Sequence, residues 1–366
     1  MLVRLALEPQ CEARFADENY GFRIGRNHHD AVESIFSYIN KSANHTLSIN
    51  LLKSLYELKP KDVISQLQCS VLLSEQINSW LFSGLLEEYL YQSHTFENYI
   101  FETPKGSILA PLIVNLFLST LFVHLEAEYS IHQYYRKIKY MRYAHHVLIL
   151  FTKQISAFQF IKKIKLCLKN FDITLEDGCW DIKFITSNLN FLNYKINFQH
   201  NYASSNIRFV EIFPSKQSIF LFVQGNREII QRLKSSSINL LVKRLRDRTL
   251  EWGIFYSDYV SQELSSIMDN ILLAQIRAIL LRKHPKKSKH WVKKKYFPNN
   301  SNYYFFNVCY RSSWTLIDPT SIQGEFVPKI RWIRLSHYTA VLIYKSPYDG
   351  DKNYWLRRKR GLYRAK

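Results

Sequence analysis

Apolar positions recur at helical spacing from Leu2 to about Asn40, but the stretch "NYGFRIGRNHHDA" interrupts them. Gly21 and Gly25 mark a turn there, and Asp30 opens a helix with an apolar face. "TLSINLLKSLYEL" (46–58) reads as a buried strand running into a helix, and "PKDVISQLQCSVLLSEQINSWLFSGLLEEYL" as helical throughout. "IFETPKGSILAPL" is a Pro/Gly-marked turn feeding the apolar run "SILAPLIVNLFLSTLFVHLE". That run has about the length a bilayer core requires. Pro111, Asn115, Ser119, Thr120 and His124 interrupt it, it has no second such segment beside it, and no interfacial anchors flank it, so a buried core helix is favoured over a membrane span.

Further on, "KIKYMRYAHHVLILF" has two apolar arms around a short polar centre, the pattern of a β-hairpin. A basic amphipathic helix, "SAFQFIKKIKLCLKNF", follows, then short strands in "WDIKFI", "NFLNYKINF" and "IRFVEIF". From Ser218 to Lys283 the composition turns helical, which sets a domain boundary near Pro214.

Charge adds a partner to this outline. Fifty Lys and Arg oppose thirty Asp and Glu, a formal +20, which points to a polyanion: nucleic acid most simply, an anionic membrane surface as the competitor. The sharpest cluster is "RKHPKKSKHWVKKK" (282–295), with Arg282, Lys283, Lys286, Lys287, Lys289, Lys293, Lys294 and Lys295 and no acid. A charge run is usually a solvated face. Here Trp291 lies within it and Tyr296-Phe297 follow, the mixture of cation and stacking surface that single-stranded RNA recognition uses. "YWLRRKRGLYRAK", with Arg357, Arg358, Lys359 and Arg360, forms a second cluster. Arg23 and Arg26, in the glycine-bearing turn, are further candidates for phosphate contact, with a solvated turn as the alternative. Cys11, Cys69, Cys167, Cys179 and Cys309 are scattered and odd in number, which argues against a disulfide framework or zinc-thiolate site and fits a reducing compartment. No signal peptide is expected at "MLVRLALEPQ", since Arg4 and Glu8 break its apolar segment.

These stretches, in this order, resemble group II intron-encoded proteins, the reverse-transcriptase-like maturases. "YGFRIGRNHHDA" is similar to the family's Y-G-F-R-x-G-R block, and "TPKGSILAPLIVN" to its template and primer loop. "RYAHH" stands at the Y-A-D-D hairpin, "FLNY" at the F-L-G-Y turn, and "PSKQSI" at the block closing the palm. "WGIFYS" and "RKHPKKSKHWVKKKYF" resemble the maturase-specific thumb, domain X, and "SPYDGDKNYWLRR" recurs after it. The resemblance implies an α+β right-hand fold: a partial fingers segment (1–45), a palm with an antiparallel sheet (46–213), an α-helical thumb (214–298) and a basic RNA-binding extension (299–366). It adds Lys105 and Lys216 to the expected RNA contacts. The family blocks expected before residue 1 and an endonuclease domain after Lys366 are absent from this sequence, so a second protein is a candidate source of the missing fingers.

The departures bear on chemistry. By the resemblance, polymerase activity rests on three carboxylates, and their positions carry His145, His146 and, through alignment of "NLLK", Asn50. Glu102, Lys105, Ser107 and Ala110 also replace the template loop's Gly, Gln, Gly and Ser. Magnesium beside a triphosphate needs hard anionic oxygen donors, whereas neutral imidazole suits zinc, copper or iron. The histidines are accordingly read as inert turn residues, RNA-phosphate contacts or, least in keeping with adjacent strand positions, metal ligands. The resulting expectation is a splicing cofactor for group II or group III intron RNA, with no reverse transcriptase or endonuclease activity, no cofactor or metal and no membrane. The setting expected is an organelle, plastid over mitochondrion, as in the reduced maturase-like proteins of euglenoid plastids. A non-catalytic subunit of another organellar ribonucleoprotein, a working reverse transcriptase and a decaying reading frame stand as alternatives.

Overall fold

The computed structural model describes residues 1–39, 45–84, 108–130, 139–151, 154–184, 189–200, 208–298, 301–320, 324–333, 340–342 and 344–363. They divide into two units: Met1–Leu192 with Ile196–Glu211 and Ala340–Trp355, and Asn193–Lys195 with Ile212–Thr339 and Leu356–Lys366. Helices and small sheets make an α+β protein.

The first unit begins with α1 (Leu2–Glu12) and α2 (His28–Ile39). At the start of α2, Asp30 Oδ2 accepts the Asn27 amide at 2.9 Å and Asn27 Oδ1 accepts the Asp30 amide at 3.2 Å, a reciprocal cap. Strand β1 (His45–Asn50) runs into α3 (Leu52–Leu55), followed by α4 (Pro60–Ile64) and α5 (Val71–Phe82). The stretch read as one helix thus breaks between Ile64 and Val71, where Ser70 adopts an extended conformation, with φ −61° and ψ 153°.

The long apolar run forms α6 (Ala110–Ser130), whose residues from Ala110 to Phe122 are buried except half-buried Thr120. It packs in one apolar cluster with Leu47 and Ile49 of β1 and with α7 (Gln154–Lys169), through Phe160, Ile161 and Ile164. Burial of each such Leu, Ile or Phe stabilises by about 1.5–3 kcal/mol. The hairpin is β2 (Lys139–Tyr143) and β3 (His146–Phe151); with β4 (Trp180–Phe184) these complete a four-stranded antiparallel sheet in the order β2-β3-β1-β4. Every residue of β3 after His146 is buried, as befits a central strand covered on both faces.

Strands β5 (Leu189–Phe191), β6 (Tyr194–His200) and β7 (Arg208–Pro214) form a separate sheet in the order β5-β6-β7. Both residues of the turn in "FLNY", Leu192 and Asn193, have positive φ (49° and 62°), as a tight two-residue hairpin turn demands.

The second unit is built on α8 (Lys216–Arg232), α9 (Ile238–Tyr256), α10 (Gln262–Lys283) and α11 (Lys289–Tyr296). Each starts on a serine, Ser215, Ser237, Ser261 and Ser288, whose hydroxyl accepts the amide three residues on, at 3.1–3.4 Å. Each cap is worth about 1 kcal/mol. By length and composition α10 is apolar enough to cross a membrane, yet its Leu272, Ile276, Ile279 and Leu280 are buried against Leu241, Val242 and Leu245 of α9 and Val292 and Tyr296 of α11. The hairpin of β8 (Ser301–Phe305) and β9 (Val308–Ser312) follows, and Tyr303 and Phe305 cluster with Phe326, Trp332 and Ile333. The last helix, α12, spans Lys352–Tyr363.

Candidate nucleic-acid interface and the histidine hairpin

Strand β1 and the hairpin bring Asn50, His145 and His146 together. Asn50 is the cross-strand partner of His146, and the Leu51 amide donates to the His145 carbonyl at 2.9 Å. The pairing Tyr143↔His146 leaves Ala144 and His145 as the turn, with Ala144 at φ 53°. Because His145 sits in the turn and His146 opens the strand, their rings lie 4.2 Å apart instead of on opposite faces.

None of these three positions carries a carboxylate. Asn50 Oδ1 accepts the Leu52 amide at 2.9 Å, so its oxygen serves the start of α3. His145 is buried, and neither ring nitrogen has a hydrogen-bond partner. Burial, with His146 beside it, pushes the His145 imidazole well below the usual range, so it is neutral at physiological pH and lacks the charged form that binds phosphate. Among the described residues no group of three His, Cys, Asp or Glu side chains is placed to hold a metal ion.

What holds the hairpin is Arg142, which is 1% exposed. Its guanidinium donates to Asn115 Oδ1 (3.0 Å), Ser119 Oγ (2.9 Å) and the Asn115 and Ala144 carbonyls. Its backbone pairs with the glycine-bearing turn: the Tyr20 amide donates to the Arg142 carbonyl at 2.8 Å, and the Arg142 amide to the Glu18 carbonyl at 3.0 Å. Gly21 closes this junction, since a Cβ there would stand 2.1 Å from the Ala144 nitrogen. The signal for Arg142 in the sequence is a charge set within the apolar arm "KYMRY".

Arg23 and Arg26 are both turned inward. Arg23 forms a buried ion pair with Glu12 at 2.6 Å and donates to the Ala16 and Asn19 carbonyls. Arg26 donates to the Asp17 and Lys345 carbonyls and lies over the Tyr20 ring, and burial lowers its pKa. Both guanidinium groups therefore bind protein in this structure. The neighbouring Gly25, at φ 75°, makes room for the Trp355 ring, 2.5 Å from where its Cβ would be. That contact joins "YGFRIGR" to "SPYDGDKNYW", where Lys345 pairs with Asp351 at 2.7 Å.

The basic cluster of the second unit is organised differently. The end of α10, the turn 284–288 and α11 array cations over aromatic rings. Lys287 and Lys295 flank the half-buried Trp291, at 5.5 and 4.9 Å from its ring centre. His284 meets Trp291 edge-on, stacks on Tyr296 and shares a 2.7 Å hydrogen bond with its hydroxyl. Burial and then the charges of Lys295, Lys283 and Lys287 lower the His284 pKa. Lys293 and Arg277 lie over Trp314, at 4.4 and 5.1 Å. Arg282, Lys286, Lys287, Lys289, Lys294 and Lys295 are exposed, whereas Lys283 donates to the Ser236 carbonyl.

Lys216, at the start of α8, and Arg357 are exposed, and Arg358 is buried. Lys105 and Glu102 lie outside the described residues, and Lys359 and Arg360 belong to α12 with side chains outside the description.

Residues 222–297 match the family described as group II intron, maturase-specific domain, which covers α8 from its seventh residue through α11. A protein from Schizosaccharomyces pombe (strain 972), described as an uncharacterized 91 kDa protein in cob intron, is 26% identical over 178 residues. That match covers 46% of this chain and 21% of the relative, so the chain spans about a fifth of that protein's length. Among solved structures, a telomerase from Candida albicans in complex with a TWJ fragment of telomeric RNA matches 80% of this chain and 56% of its own, at 9% identity and a TM-score of 0.35, too low to compare folds. Residues 222–297, which form the helical core carrying the cation–aromatic cluster, are thus similar to the maturase-specific domain of group II introns.

Proposed function

We propose that the protein is an RNA-binding splicing cofactor: it holds a group II or related group III intron in its active fold and makes no DNA. In this reading the first unit is a reverse-transcriptase-like palm whose sheet and hairpin persist as scaffold, and the second unit is the thumb that grips RNA. The observation that carries it is the exposed array around Trp291, where Lys287 and Lys295 flank a stacking surface within the maturase-specific domain. Phosphates meet the cations and release counterions, while unpaired bases find a π-face. The intron RNA supplies the metal-bound chemistry, and the protein lowers the free energy of the folded RNA through backbone and stacking contacts. Asn50, His145 and His146 offer none of the anionic oxygens that a nucleotidyl-transfer site needs, which supports a non-enzymatic role. An organellar setting accords with the intron-borne relative, without a preference for plastid over mitochondrion.

The test is binding of a group II intron RNA across a salt series, beside excision of that intron at limiting Mg²⁺. The protein is expected to promote excision and to bind with a steep negative salt slope; Lys286→Ala, Lys287→Ala and Lys289→Ala together flatten the slope by about 3. Unchanged affinity in that variant refutes the assignment. Enrichment of ribosomal rather than intron RNA after crosslinking selects the other ribonucleoprotein instead.

A further inference from the structure

Beside the cation–aromatic face the second unit contains a cavity of about 220 Å³. It is far larger than the ~30 Å³ share of one water and smaller than the ~300–1,000 Å³ typical of drug-sized ligands, a size suited to one heterocycle. Phe297 and Trp314 line it with aromatic surface, Asp269 and Thr315 with polar atoms, and the exposed Asn270 and Arg331 stand where it meets solvent.

Half-buried Asp269 and buried Thr315 each have a side-chain oxygen without a hydrogen-bond partner. Asp269 Oδ1 accepts the Ile330 amide at 2.7 Å, but Oδ2 has no hydrogen-bond partner and the Arg331 Nε is 3.9 Å away. Thr315 is 2% exposed and its hydroxyl has no partner. A buried polar atom left unsatisfied is destabilising, and two on residues that line one cavity point to a ligand that satisfies both. Burial pushes the Asp269 carboxyl up to about 6, against the lowering influence of the Ile330 and Arg331 amides and of the Arg331 and Lys329 charges. It is therefore still an anion at neutral pH, which disfavours a phosphate as occupant and favours a group that donates hydrogen bonds.

The cavity also adjoins the basic face. Trp314, one of its walls, is the ring beneath Lys293 of α11 and Arg277 of α10. A backbone tracking those cations passes the mouth, and a base turned out of the strand enters beside Trp314. We propose that this cavity receives one unpaired, amine-bearing nucleobase of the bound RNA, its amino group donating to Asp269 Oδ2, Thr315 Oγ1 meeting a second polar edge atom, and its ring against Phe297 and Trp314. The proposal rests on the RNA-binding reading and adds base selectivity to it: the lysines set affinity, the cavity sets preference.

The test uses the full chain and short single-stranded probes of equal length: oligoadenylate, oligocytidylate, oligouridylate and an oligomer of abasic sugars, each titrated at two salt concentrations. The expected result is tighter binding of the amine-bearing oligomers than of the uridine and abasic ones, by about tenfold. Asp269→Asn, which keeps an oxygen for the Ile330 amide, and Thr315→Val, which keeps the shape, narrow that gap without changing the salt slope; thermal melting checks that both variants are folded. Lys287→Ala with Lys295→Ala weakens all four probes alike. Equal binding of all four with a steep salt slope overturns the cavity proposal and leaves the RNA reading standing. Absence of salt-sensitive binding to any probe overturns both.

Discussion

The hairpin at Ala144-His145 and the basic face around Trp291 are both clusters of potentially cationic side chains, and they differ in what surrounds those side chains. At the hairpin the imidazole of His145 is buried and neutral, and the nearby Arg23, Arg26 and Arg142 donate to protein groups. At Trp291 the cations are exposed and array over aromatic rings instead of carboxylates. Positive charge in a sequence therefore does two jobs here, tying chain segments together in one place and remaining available to an outside polyanion in the other. Burial separates them, and burial is what the sequence expresses least directly.

The largest effect is expected at Arg23. Arg23→Ala strands the buried Glu12 carboxylate and is expected to cost about 3–5 kcal/mol of stability in denaturant unfolding, with no change in the salt slope of RNA binding by protein that remains folded. A stable variant with a reduced slope would move Arg23 to the RNA-binding set. Gly21→Ala comes next: its Cβ cannot coexist with the Ala144 backbone, and overpacking of this kind costs about 1–3 kcal/mol. Its melting temperature should fall, and an unchanged melt would mean that the turn and hairpin do not pack as described.

On the other side, Trp291→Ala should weaken single-stranded RNA binding by about 1–3 kcal/mol, measured by titration. The same change should leave the four serine-capped helices of the second unit formed, as circular dichroism would report. The smallest effect is pH dependence from His145. Its pKa is depressed on folding, so the unfolded chain takes up the proton first and stability falls as pH drops below about 6.5, by up to ~1.4 kcal/mol per pH unit until the folded-state value is reached. His145→Asn should remove that slope between pH 6.5 and 5.5; an unaltered slope would place the sensitivity elsewhere. Asp269 contributes with the opposite sign below pH 6, because its pKa is raised on folding, and it serves as an internal contrast.

Much of this is legible in the residues themselves. The apolar arms of "KIKYMRYAHHVLILF" give the hairpin, and β1 sets Asn50 opposite His146. The apolar run after Pro111 forms the buried helix α6. The trapped arginines were less legible, because no local pattern connects Arg23 to Glu12 a turn and a helix end away, or Gly25 to Trp355 some 330 positions on. Arg358 shows the same limit, being buried within a run that reads as uniformly basic. The cavity was illegible for a similar reason: Asp269, Thr315 and Arg331 come from three segments whose meeting depends on tertiary packing alone.

We propose that the second unit holds RNA and that the hairpin of the first unit does not support polymerisation. Primer extension on a primed intron RNA, with Mg²⁺ or Mn²⁺ and at a protein concentration that saturates binding of that same RNA, tests both halves together. Salt-sensitive binding and no extended product are expected. Extension that disappears on His145→Ala and His146→Ala would contradict this proposal.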